Sequence, residues 1–184
     1  MHRAAPELRT DRLRLRPNVR DDAGPLTALW QDPIVVRFFG GVPMPAEDCW
    51  HRLQRAVGHW ALNGYGMWAV EELESGMFVG QAGLFEGRRG LGPGFDDVPE
   101  AGWAFMPAAH GKGYAREAMR AALRWTESEL GVARTVCIID PENLPSIRTA
   151  QALGYRQFGD CIYKEKPLLM FERAAASGSS PAAG

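Results

Sequence analysis

Leu13 and Leu15 alternate with Arg12, Arg14 and Arg16, which predicts a half-buried strand over residues 12–16. A helix is expected over 20–31, with Gly24 and Pro25 weakening its first turn. The apolar positions Ala46, Trp50, Leu53, Val57 and Trp60 then recur at steps of four and three, one face of a helix over 45–62. Pro45 suits the first helical position, and Glu47 and Asp48 suit the positive end of the helix dipole. "NGYG" breaks the pattern, and "MWAVEEL" (67–73) and "MFVGQAGLF" (77–85) follow as strands joined at Ser75-Gly76. A glycine-rich loop at 86–99 leads to the strand "EAGWAFM" (100–106). A helix over 114–130, a strand over 133–140, a helix over 144–153 ending at Gly154, and strands near 155–160 and 162–171 complete the pattern.

That order describes an α/β domain with a mixed sheet. The strand at 100–106, the helix at 114–130 and the strand at 133–140 make a crossover unit, whose ligand site is expected where the first strand ends and the helix begins. One domain is expected over 8–172, followed by a low-complexity tail at 174–184 expected to be disordered. The 184 residues carry a formal net charge of −1, so composition gives no reason to expect nucleic acid or an anionic membrane as partner. No apolar run reaches the roughly 20 residues of a membrane span, and the N-terminus lacks the apolar segment of a signal peptide. Cys49, Cys137 and Cys161 are scattered and outside any CxxC pair, so they are expected to be reduced thiols in a cytoplasmic protein. The histidines do not combine with them in a metal-ligand spacing, and no metal is expected. The tryptophans Trp50, Trp60, Trp68, Trp103 and Trp125 read as core or pocket wall.

The junction "HGKGYA", residues 110–115, carries the candidate chemistry. Gly111 and Gly113 allow a sharp turn and close approach of a ligand to the backbone. The amides that follow belong to a first helical turn and have no partner inside the helix, so they can bind an anion. The same glycines could serve only as a tight turn. The stretch is neither a Walker loop nor GxGxxG. Ala115, Ala118, Ala121 and Ala122 would let the helix lie close to the sheet.

Residues 110–115 resemble the Q/R-x-x-G-x-G/A motif of the GNAT family of N-acetyltransferases, except that His110 stands at the first position. "LRTDRLRLRP" (8–17), "DPIVVRFFGG" (32–41), "EAGWAF" (100–105) and "PENLPSIRTAQALGY" (141–155) are similar, in the same order, to segments of the branch containing ribosomal-protein-alanine N-acetyltransferases. The resemblance implies a mostly antiparallel twisted sheet, splayed between the strands at 100–106 and 133–140. It implies acetyl-CoA as cosubstrate, with pyrophosphate on the main-chain amides of Gly111, Lys112, Gly113, Tyr114 and Ala115. The pantetheine arm would lie along free main-chain groups near Phe105 and Met106. It also brings Asn143 near the cofactor, although Asn143 is equally explained as a helix N-cap. Many members carry a tyrosine in the last helix as general acid; Ala150 stands there, and in the resembled branch a serine at the position of Ser146 can take the role. Ser146 can also be read as an ordinary first-turn residue. Tyr114 and Tyr155 read as packing residues.

Glu100 is the candidate general base: an ammonium must lose a proton before it attacks a thioester, and the resembled branch has a glutamate there. It could instead be a solvated strand-end residue or the partner of a nearby arginine. The glycine content of the 86–99 loop suggests mobility, and Asp96 and Asp97 either steer a cationic acceptor or form a solvated pair. The expected acceptor is a primary amine on a small molecule or a protein N-terminus, with a homodimer as one assembly such a domain could form. A non-catalytic acyl-CoA-binding protein with a regulatory role is the alternative.

Overall fold

The computed structural model describes residues 5–175. Its elements are β1 (Leu8–Arg9), β2 (Leu13–Arg16), α1 (Ala23–Gln31), α2 (Pro33–Val36), α3 (Ala46–Asn63), β3 (Met67–Glu72), β4 (Phe78–Phe85), β5 (Glu100–Phe105), α4 (Tyr114–Leu130), β6 (Arg134–Ile139), α5 (Leu144–Ala152), β7 (Arg156–Tyr163) and β8 (Lys166–Ala174). The strands form one open sheet in the order β1-β2-β3-β4-β5-β6-β8-β7. Every neighbouring pair is antiparallel except β5 and β6, which run parallel and meet only at Glu100↔Val136. The sheet is therefore joined at one end of β5 and open along the rest of it.

Alternation along β4 and β5 sends their side chains to two layers. Ala82, Leu84, Ala101 and Phe105 join the main core under α4, while Ala104 joins Leu26, Leu29, Trp30, Val35, Val36, Cys49 and Leu53 beneath the first three helices. Ala118 and Ala122 of α4 are fully buried, as the small residues on that helix predict. Trp60, Trp68 and Trp125 pack with ring centroids 4.6 to 5.4 Å apart, so these tryptophans are core. Tyr155 is also a core residue, its hydroxyl 2.7 Å from that of Thr135. The three cysteines are unpaired.

Two boundaries differ from the sequence pattern. The last hairpin turns at Lys164-Glu165, with φ of 50° and 64°, rather than near residue 161. Neither residue is a glycine or asparagine, so the turn carries no compositional mark. Gly159, which looks like a strand end, instead follows a register shift between Gln157 and Gly159. Strand β8 consequently runs to Ala174, and the rest of the low-complexity tail, 176–184, lies outside the described residues. The short β1 and α2 were not separable from their neighbours by periodicity, because two and four residues are too few to show one.

Candidate functional site

The chain leaving β5 makes a turn of 3-10 helix at Pro107–Ala109 and then enters α4 through two left-handed glycines, Gly111 (φ 75°) and Gly113 (φ 79°). Gly113 is the N-cap of α4, and its carbonyl accepts from the Glu117 amide. The amides of Gly111 through Arg116 find no acceptor among the described residues. They form a row of free donors at the positive end of a 17-residue helix.

Side chains brace this loop from below. Arg12 donates from Nη1 to the Lys112 carbonyl at 2.9 Å and from Nε and Nη2 to Glu117 at 2.8 and 2.6 Å. Glu117 also accepts from the Thr10 hydroxyl and the Arg12 amide. Burial works against its charge, but the hydrogen bonds from Thr10 and Arg12 win and hold the carboxyl below its ordinary range. Tyr114 is buried, and its hydroxyl donates to Glu72, which also pairs with Lys112 at 3.6 Å. His110 is a second brace: Nε2 lies 2.8 Å from the Phe105 carbonyl, so Nε2 carries the proton, because a carbonyl can only accept.

The gap between β5 and β6 begins at this loop. The Met106 amide donates to the Val79 carbonyl, which sets the ladder alternation and turns the main chain of Trp103 and Phe105 away from β4. The free groups expected at Phe105 and Met106 are thus reduced. Both main-chain groups of Met106 are engaged, its carbonyl by Ala109, and the Phe105 carbonyl is taken by His110. The Phe105 amide and the main chain of Trp103 remain turned toward the gap.

Glu100 stands where the gap closes. It is 3% exposed and held by Arg89, Nε to Oε2 and Nη2 to Oε1, both at 2.7 Å. Of the roles read from sequence, the structure thus supplies the arginine pairing and removes the solvated strand end. Burial raises the Glu100 carboxyl above its ordinary range, against the opposing pull of Arg89. A Cβ on Gly87 would lie 2.3 Å from Glu100 Oε2, so the loop can close over the carboxylate only with glycine there. Arg89 also lies over the rings of Tyr163 and Phe85, at 4.8 and 5.9 Å from their centroids.

The 86–99 loop is tied down by the two aspartates. Asp96 accepts from the amides of Arg89 and Gly92, and Asp97 from that of Gly94. Phe95 is buried, and Arg134 donates to the Gly94 carbonyl. Both aspartates thus satisfy turn amides, Asp96 from a partly buried position and Asp97 from an exposed one. Across the gap, Asn143 caps α5 by accepting from the Ser146 amide at 3.2 Å. The Ser146 side chain is partly exposed, and its hydroxyl has no partner among the described residues.

The sequence did not reveal the Arg12–Glu117 brace or which arginine meets Glu100. The first spans 105 positions and the second reaches back from an irregular loop, so neither has a local signal. No group of three or more His, Cys, Asp or Glu among the described residues could hold a metal ion. No described helix is long and apolar enough to cross a membrane.

The chain matches the acetyltransferase (GNAT) domain family over residues 12–156. It is 32% identical over 176 residues to the uncharacterized protein YkkB of Bacillus subtilis (strain 168), covering 92% of this chain and 96% of that one. Among solved structures, a putative GnaT-family acetyltransferase from Bordetella pertussis superposes with a TM-score of 0.83 at 35% identity, covering 92% of this chain and all of that one, 100%. The ribosomal-protein-S5-alanine acetyltransferase of Vibrio fischeri shares the fold, with a TM-score of 0.71 at 14% identity over 96% of this chain and 100% of that one. With a family match across most of its length and a sheet that opens beside a free row of amides, the chain belongs to the GNAT acetyltransferase family.

Proposed function

We propose that this protein transfers the acetyl group of acetyl-CoA to a primary amine by direct attack on the thioester. The observation that carries the reading is the single β5–β6 pair beside the unfilled amides of residues 111–116. Those amides suit a pyrophosphate, and the gap suits an extended arm reaching from it toward Glu100. Main-chain groups of Trp103 and Phe105 line that route, and Asn143 borders it from α5. The Phe105 amide is a donor available to the thioester carbonyl.

Glu100 takes a proton from the acceptor ammonium. Its two oxygens each accept one hydrogen bond from Arg89, which leaves each a lone pair for the incoming proton. The neutral amine then forms the C–N bond as the C–S bond breaks, and the new amide nitrogen gives its surplus proton to solvent. Ser146 supplies a proton to the departing sulfur and recovers one from solvent. A non-catalytic acyl-CoA-binding role is the second reading, favoured by the closed Glu100–Arg89 pair. A screen of acetyl-CoA with peptides and small amines, followed by free-thiol release, separates the two. Acceptor-dependent release supports transfer; tight CoA binding without release for any acceptor supports the second reading.

A further inference from the structure

Arg52, in the second turn of α3, is a cation without a counterion among the described residues. Its guanidinium lies 3.7 Å from the centroid of the Trp30 ring, and it makes no ion pair or hydrogen bond among the described residues. The indole N–H of Trp30, buried beside it, also finds no acceptor. Two unpartnered donors therefore share one place. The neighbouring charges make matters worse for Arg52. Burial is the main cause of its lowered pKa, pushed down to about 10, and the charges of Arg55 and Arg89 add to it. Arg89 is already neutralised by Glu100, whereas no carboxylate among the described residues answers Arg52.

This spot lies on the Glu100 side of the sheet. Glu100, Gly102 and Ala104 alternate onto one face of β5, and Ala104 packs in the same cluster as Trp30 and Leu53. Arg89 ties the two ends together, since it holds Glu100 and its charge reaches Arg52. Arg52 is only partly exposed, and stacking on Trp30 fixes its planar fork in advance. A fixed guanidinium fork fits the paired oxygens of a carboxylate or a phosphate. An arginine kept here without a partner opposes folding unless a ligand supplies the missing charge.

We propose that Arg52, stacked on Trp30, receives an oxyanion carried by the acceptor, so that the acceptors are amines bearing a carboxylate or a phosphate. This rests on the reading of the Glu100 face as the acceptor side. The negative group sits at Arg52 while the amine reaches Glu100, giving two-point recognition.

The test compares matched amines with and without the anion: tyrosine against tyramine for carboxylate, and glucosamine 6-phosphate against glucosamine for phosphate. Acetyl-CoA turnover and calorimetric binding to the CoA-saturated protein are measured for the native chain, Arg52→Gln and Arg52→Lys. The native protein prefers the anionic member of one pair by about tenfold or more, and Arg52→Gln brings that ratio toward one through the acceptor KM. Arg52→Lys recovers part of it, and CoA affinity, as a control for folding, is unchanged in both variants. The pair that responds identifies carboxylate or phosphate. A native ratio retained in Arg52→Gln, or neutral members preferred or no anionic member bound in both pairs, overturns the proposal. Absence of turnover with every amine would refute acetyl transfer alone, since the binding arm needs no chemistry and still decides the role of Arg52.

Discussion

Arg89 and Glu100 form a buried, two-bonded ion pair at the one register pair that joins β5 to β6. Arg89 opposes the rise in the Glu100 pKa that burial causes. Arg89→Gln should therefore raise that pKa further and move the acidic limb of kcat/KM to higher pH. Loss of an oriented base contributes about 10²–10⁴ in rate, so Glu100→Gln should lower kcat by that order while acetyl-CoA affinity holds. Its remaining rate should climb with pH as the acceptor amine deprotonates in solution. A limb that stays in place in Arg89→Gln, or native kcat across the pH range in Glu100→Gln, would remove this pair from the reaction.

Gly113→Val should cost more CoA affinity than Lys112→Ala. At φ 79° a β-branched residue is strained and covers amides that a phosphate would approach, whereas Lys112 is half-exposed and already faces Glu72. Calorimetric titration with CoA, alongside a melting curve to confirm folding, compares the two directly. Equal CoA affinity in native protein and Gly113→Val would reduce the loop to a turn.

The Arg12–Glu117 brace links the start of the sheet to the 110–116 loop. Glu117→Gln should destabilise the fold by about 1 to 2 kcal/mol at neutral pH, on the scale of charged hydrogen bonds. For a chain of this length that corresponds to about 3 to 6 °C in Tm. The folded-state carboxyl is held low, so its stabilisation is present above the ordinary carboxylate pKa of about 4.3 and is lost as pH falls through the lower folded value. The Tm gap between variant and native protein should accordingly close in acid. A gap that is constant down to the acid transition would show that the brace acts through shape alone.

Ser146→Ala removes a hydroxyl that has no partner among the described residues, because the cap to Asn143 uses the amide. Stability should therefore be unchanged. If Ser146 protonates the leaving sulfur, kcat should fall by about 10² with little change in the acetyl-CoA KM. Native kcat in the variant would assign that proton to water.

Much of this architecture was legible because its signals are local. The alternation around Leu13 and Leu15, the apolar face from Ala46 to Trp60 and the glycines flanking Lys112 each declare an element within a few residues. The order of those elements set Glu100 and residues 110–115 at the two ends of β5. What stayed hidden depends on partners distant in sequence or on unmarked backbone. Arg89 meets Glu100 only because Gly87 permits the loop to fold over it, and Asp96 holds that loop through the amides of Arg89 and Gly92. The Lys164-Glu165 turn uses left-handed residues that composition does not advertise. Arg52 looked like one more polar position on a helix until its lack of a counterion could be seen.

The most direct test of the account is a single-turnover reaction of the protein with limiting acetyl-CoA, with and without an amine acceptor, followed by intact mass of protein and small molecules. Direct transfer predicts one free CoA thiol for each acetylated amine, no mass added to the protein, and a thioester that persists when the amine is left out. Thiol release without an amine, an acetyl group retained on the protein, or an intact thioester in the presence of every acceptor would contradict it.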